Sequence, residues 1–221
     1  MVTRKQPIPA NAGRKSAYVA RNHAALLKAA QAVLAEIGPS ASIDQFAEGA
    51  EVSVSTIYKH FENKEALIAS SFIAAFKDWE NWADVVLEEK GDALSELVNP
   101  MRLFLRLAKT HPHYAAMIAK NLGEIPKYYS GTQDGFVIHV KELIKKKILV
   151  VDNLEVRTRI ISASLLAGLA EQLTNPAAKE SDADATIEVI LEILGISPAK
   201  SKKIATGPLP ELSEQQSAWG A

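Results

Sequence analysis

The sequence predicts an all-α chain: a compact unit of three short helices near the N-terminus, then a larger helical body. Three observations lead there. Apolar residues recur at helical spacing through most of the chain, and no period-2 strand or internal repeat of any length interrupts them. Residues suited to open helices (Ser42, Ser53 and Asn63) stand ahead of apolar positions at short intervals. Nearly half of the 221 residues are hydrophobic, enough for a sizeable core.

Residues 1–16 are basic, contain Pro7, Pro9 and Gly13, and read as a mobile arm. Apolar side chains at Ala25, Leu26, Ala29, Ala30, Val33 and Leu34 predict a helix from about Ala17 to Ile37, stopped by Gly38-Pro39. Ser42, with Gln45 three residues on, reads as a capping box for a helix of about two turns that buries Ile43, Phe46, Ala47 and Ala50. Ser53 caps the next short helix, and Asn63 caps a longer one carrying Leu67, Ile68, Phe72, Phe76 and Trp79. The body continues with helices over 94–109, from Pro112, over 133–149, 154–174 and 184–194, with residues 122–131 as a loop. The expected division is therefore 1–16 arm, 17–62 three-helix unit, 63–195 helical body and 196–221 a loosely ordered tail with three prolines.

Charge is unevenly distributed. The formal net charge is −1, yet residues 1–28 carry Arg4, Lys5, Arg14, Lys15, Arg21 and Lys28 and no carboxylate, which leaves −7 for the rest. A basic end before an acidic body suits an anionic partner at one end of the molecule. The chain has no cysteine, which excludes disulfides, thiolate metal sites and cysteine nucleophiles. No apolar run approaches the ~18–20 residues of a membrane span. The first residues lack the apolar centre of a signal peptide. A cytoplasmic protein is expected.

Residues 54–64, VSTIYKHFENK, are unusually polar for a short helix in a compact unit. Two short helices joined by a few residues, with small Ala47 on the first facing the second, have the arithmetic of a helix-turn-helix. Placing Ile57 inward at about 100° per residue puts Ser55 and Lys59 on the outermost face. Thr56 and Tyr58 flank that face and His60 lies at the opposite edge. A merely solvated face would use better helix formers such as Glu and Lys, so the Ser, Thr, Tyr and His here answer to another constraint. Short donors and a long cation outward, with hydroxyls at the margins, suit entry into a DNA major groove.

The stretch ASIDQFAEGAEVSVSTIYKHFENKEALI resembles the DNA-binding region of the TetR family of bacterial transcriptional regulators. The pattern T-[IL]-Y-x-x-F-x-x-K-x-x-L is matched at Thr56, Ile57, Tyr58, Phe61, Lys64 and Leu67. The resemblance covers about residues 17–70. It implies that Thr56, Tyr58, His60 and Lys64 contact phosphates, and that Val54, Ser55 and Lys59 read bases. Arg14, Lys15 or Arg21 of the basic end would touch backbone or minor groove. One position departs from the pattern: the family usually has Gly in the turn where this chain has Glu51. If that residue needs a positive φ, Glu costs roughly 1 kcal/mol relative to Gly.

The body offers two further surfaces. IISASLLAGLAEQL (160–173) is apolar nearly all round, and TIEVILEIL (186–194) has Ile187, Ile190, Leu191 and Leu194 on one side. Leu165, Gly168 and Leu169 join those four as the expected dimer interface, since the resemblance implies a four-helix bundle between two subunits. A two-fold dimer also fits a near-palindromic double-stranded operator. The resemblance further implies a small-molecule pocket in the middle helices, with Trp79, Trp82, Phe104, His111, Tyr114, Met117, Tyr128, Phe136 and His139 as its candidate lining. Aromatics mixed with His and Tyr suit a mostly apolar ligand with a few polar groups.

The expected function is thus a homodimeric repressor released from its operator by a small, largely apolar ligand. Two alternatives stay open: a DNA-binding member without an inducer, with an architectural or protein-recruiting role, and a helical enzyme. No catalytic constellation stands out, so no enzymatic activity and no cofactor are expected. The histidines of HPH at 111–113, with His139, lack the cysteines or clustered carboxylates that would support a metal site.

Overall fold

The computed structural model describes residues 10–87, 91–128 and 130–209, with side chains from residue 19 onward except those of 126, 128 and 130–134. Among these residues there are helices and no strand, and no helix is long and apolar enough to cross a membrane.

Helix α1 (Ala10–Glu36) begins seven residues before the expected start at Ala17. The second half of the expected arm is therefore helical. After Pro9 no proline interrupts it, and a lone Gly13 costs only about 1 kcal/mol in a helix; residues 1–9 lie outside the described residues. α1 buries Leu26, Ala30, Val33 and Leu34 and stops at Gly38, whose φ of +88° needs glycine.

Helix α2 (Ile43–Gly49) carries the predicted capping box. Gln45 N–H donates to Ser42 Oγ at 3.2 Å and Ser42 N–H to Gln45 Oε1 at 2.8 Å. Phe46 and Ala47 are buried. At Gly49 a Cβ would lie 2.6 Å from Val33 Cγ2, so α2 approaches α1 through a residue with no side chain. Helix α3 (Val54–His60) opens at Ser53, whose Oγ accepts from Thr56 N–H at 3.2 Å. Helix α4 (Lys64–Val86) opens at Asn63, whose Oδ1 accepts from Ala66 N–H at 2.7 Å. α1 packs against α2 and α4, which closes the small unit and joins it to the body.

The body departs from expectation in four places. The helix predicted over 94–109 divides at Arg106 into α5 (Ala93–Leu105) and α6 (Leu107–Thr110). Arg106 there turns its guanidinium to Asp184 at 2.8 Å. Helix α7 (Pro112–Lys120) opens at Pro112 as expected. The expected loop at 122–131 contains a helical turn, α8 (Ile125–Tyr128), because Ile125 is drawn into the core and proline suits a first helical turn. Helix α9 (Ser130–Lys145) starts and ends earlier than predicted; its exit passes through Lys147, at a φ of +58° that no continuing helix has. Helix α10 (Leu154–Thr174) has the predicted bounds. Helix α11 (Glu180–Ile193) gains a first turn whose Glu180 and Asp182 favour the positive end of its dipole.

A fifth departure is the tail. Helix α12 (Pro198–Ala205) packs against α11 and α5. Its anchor is Arg102 of α5, which is 3% exposed and donates to the carbonyls of Gly207 at 2.6 Å and Pro208 at 3.4 Å. These carbonyl acceptors offset part of the cost of burying the guanidinium away from water. Residues 210–221 lie outside the described residues.

Candidate DNA-binding face and body cavity

Helix α3 is held from one side. Ile57 is 1% exposed and Phe61, the residue that ends the helix, is also buried. Ser55, Tyr58 and Lys59 are exposed, while Val54, Thr56 and His60 are half-buried at the margins. Tyr58 is 50% exposed, a large amphipathic side chain that the protein leaves to solvent. The hydroxyls of Ser55 and Thr56 both lie 2.9 Å from Ser53 Oγ, so three hydroxyls gather at the N-terminus of α3. His60 packs near His23 of α1 at 5.8 Å between ring centroids, and His23 stacks on Phe61 at 4.8 Å. Lys64 is half-buried, and its Nζ donates to the Ala41 carbonyl at 3.0 Å, tying the start of α4 to the entry of α2. Arg21 is exposed on α1. Arg14 and Lys15 lie on the helical backbone of α1, and their side chains lie outside the described residues.

The turn before α3 is a Schellman motif. Val52 N–H donates to Ala47 O at 2.9 Å and Glu51 N–H to Glu48 O at 3.0 Å. Glu51 takes the left-handed position with a φ of +53°. The geometry that glycine serves best is therefore present with a glutamate in it.

A cavity of about 890 Å³ lies in the body. Four helices each give it one stripe. On α4 the stripe is Phe76, Trp79, Glu80, Ala83 and Asp84; on α5 it is Leu97, Pro100, Met101 and Phe104. Both follow the i, i+3, i+4, i+7 spacing of a single helix face. Phe136 and His139 come from α9, and Thr158, Ile161, Ser162, Leu165 and Leu166 from α10. Leu122 and Ile125 close the side nearest α7. Trp79 meets Phe104 edge-on at 5.7 Å.

Four of the predicted lining residues reach this space: Trp79, Phe104, Phe136 and His139. Three aromatic positions serve packing instead. Trp82 and His111 meet edge-on at 4.9 Å, and Tyr114 meets Phe76 edge-on at 6.2 Å. His111 is buried with Nδ1 2.8 Å from Thr110 Oγ1, and burial holds its pKa below the ordinary histidine value. Met117 is fully buried away from the cavity lining. The Tyr128 side chain lies outside the described residues. Sequence reasoning missed Phe76, Glu80 and Asp84, although their shared stripe with Trp79 was a signal for them. Among the described residues no group of three His, Cys, Asp or Glu is placed to hold a metal ion.

The expected interface residues need correction. Leu169, Ile187, Ile190, Leu191 and Leu194 are fully buried within one protomer, so they hold the body together rather than face a second chain. Gly168 lets α10 approach its own neighbours, since a Cβ there would lie 3.1 Å from Leu105 and 3.2 Å from Thr186. Leu165 lines the cavity. The apolar side chains left outward on these helices are Val156, Ile160 and Val189, each about half exposed. Helical periodicity shows how many faces are apolar, and not which of two apolar faces the protomer covers.

Residues 26–70 match the family described as "Bacterial regulatory proteins, tetR family". Among curated proteins none matches this chain. The fold is shared with several solved structures. RolR in complex with resorcinol is 21% identical with a TM-score of 0.71, over 90% of this chain and 100% of that one. The transcriptional regulator FadR from Bacillus subtilis, in complex with stearoyl-CoA, is 19% identical with a TM-score of 0.62, over 79% and 100%. NalD, the secondary repressor of the MexAB-OprM multidrug efflux pump in Pseudomonas aeruginosa, is 18% identical with a TM-score of 0.58, over 80% and 96%. Residues 26–70 thus match the DNA-binding region of the TetR family of bacterial regulatory proteins, and the chain carries the fold seen in those structures.

Proposed function

We propose that this protein is a homodimeric transcriptional repressor that leaves its operator when a small, largely apolar ligand fills the body cavity. The observation that carries the reading is the contact between that cavity and the DNA-binding unit. Leu122 and Ile125 line the cavity. The two residues just before them hold the end of α1: Asn121 Nδ2 donates to Leu34 O at 3.1 Å, and Lys120 Nζ donates to the Glu36 carbonyl. The last carbonyls of a helix lack intrahelical donors, so these side chains act as its C-terminal cap from another domain. A ligand that favours one setting of residues 121–125 thereby favours one setting of α1 and the helix-turn-helix. The effect is limited to the ligand's difference in affinity for the two states.

Lys59 is the candidate for guanine O6 and N7, and the Val54 methyls for a thymine methyl. Tyr58, Thr56, His60 and Lys64 serve phosphates. The outward apolar residues Val156, Ile160 and Val189 supply the dimer contact. The diversity of resorcinol and stearoyl-CoA in proteins of this fold supports a cavity that sets ligand choice chain by chain. A cavity of this size also favours a ligand-responsive member over one that only recruits other proteins.

The test is binding of the purified protein to DNA from upstream of its own coding sequence, by fluorescence anisotropy at several salt concentrations. Binding at nanomolar protein that outcompetes unrelated DNA is expected. Equal affinity for both DNAs would overturn the repressor reading.

A further inference from the structure

The polar part of the cavity lining is mostly acidic. Glu80, Asp84 and Glu96 lie on it, against one guanidinium among the described residues, Arg159. Arg159 is itself paired with Glu155 at 3.1 Å. Among the described residues His139 is the remaining titratable group of the lining. The three carboxylates are exposed and stand at the rim, while the depth is aromatic, with Phe76, Trp79 and Phe104 together. Pro100, on the same face of α5, cannot donate and leaves the Glu96 carbonyl without its usual helical partner. Trp79 is 9% exposed, and its buried indole N–H meets no acceptor among the described residues.

Each feature selects ligands by charge. Aromatic faces attract cations through their quadrupoles. A rim with three carboxylates and one paired guanidinium repels anions and concentrates cations. Building on the ligand-responsive reading above, we infer that the cavity takes an apolar organic cation, its apolar body among the aromatics and its charge at the Glu80–Asp84–Glu96 rim. Burial, and then Asp84, raise the Glu80 carboxyl above its ordinary pKa, while Lys77 opposes them. A cation bound at this rim relieves that crowding.

Two ions of nearly the same shape and opposite charge provide the test. Tetraphenylphosphonium and tetraphenylborate are titrated into the full-length protein by calorimetry, with neutral triphenylphosphine oxide as a third ligand. The phosphonium is expected to bind at least about tenfold more tightly than the borate. The E80Q/D84N/E96Q variant, altered only at exposed positions, should lose that preference while keeping its unfolding temperature within a few degrees. Equal or tighter borate binding, binding of none of the three, or an unchanged preference in the variant each overturns the inference. A parallel arm measures DNA binding with each ligand present. Release by the oxide or the borate alone leaves the ligand-responsive reading standing and removes the cationic one. Tight phosphonium binding without release does the opposite.

Discussion

Helix α3 uses one side chain, Ile57, to hold itself in the fold and turns polar groups outward over most of its remaining surface. Helix α10 is apolar on nearly every side, with Ile161 and Leu169 buried and Val156 and Ile160 half exposed. Both depart from the ordinary amphipathic helix, in opposite directions. On the function proposed above, the partner of α3 is polar and anionic, and that of α10 is another apolar surface. The two differ in how they are anchored. α3 depends on a few buried groups, whereas α10 is surrounded by α5, α6, α7, α9 and α11.

That contrast sets out what substitutions should do. The largest effect is expected at the anchor of α3. Ile57→Ala removes most of a side chain that is 1% exposed, and should cost about 2–5 kcal/mol of stability in the N-terminal unit. Chemical denaturation followed by circular dichroism would register it, along with loss of operator binding. Next is the outward face of α10. Ile160 is 46% exposed in the protomer, and Ile160→Glu should weaken dimer association by about 2 kcal/mol or more, the scale of an interface hot spot. Sedimentation velocity should show monomers with unchanged protomer stability. If the dimer persists, the interface lies elsewhere on the body.

Lys59→Ala should weaken operator binding by about 1–3 kcal/mol and relax preference at one base pair. Tyr58→Phe should change affinity less, and at all sequences alike. If both variants keep wild-type affinity and salt dependence, α3 does not face DNA as described. The smallest effect concerns the turn. Glu51→Gly removes the cost of a side chain at a φ of +53° and should raise stability by roughly 0.5–1 kcal/mol. A drop instead would mean that the Glu51 side chain stabilises the turn by more than its strain.

The legible parts of the molecule were the local ones. Ser42, Ser53 and Asn63 cap helices within three residues of themselves, so their role is written in adjacent sequence. Glu51 could be flagged from the turn chemistry alone, and the structure gives it the positive φ. The cavity was only half legible, because its wall is assembled from helices far apart in the chain. Trp82 and His111 look as suited to a pocket as Trp79 and His139 do. Which pair faces the space depends on helix rotation, fixed by packing across the body. The outward apolar face was hard to choose for a related reason: Ile187 and Val189 are two residues apart and equally apolar, yet one is fully buried and the other 55% exposed. The helix α12 was hidden by its prolines, one of which, Pro198, opens it.

Arg102 has a bearing on the order in which the protein is made. Its guanidinium is inside the body, but its acceptors are the carbonyls of Gly207 and Pro208, more than a hundred residues later. During synthesis Arg102 gains these two acceptors only after residues 207 and 208 have been made. A chain cut short before residue 207 would have to leave that cation in water with the body open, or bury it without its acceptors. The helix-turn-helix would then stand beside an unfinished body, which makes the contact at residues 207 and 208 a late one in the making of the fold.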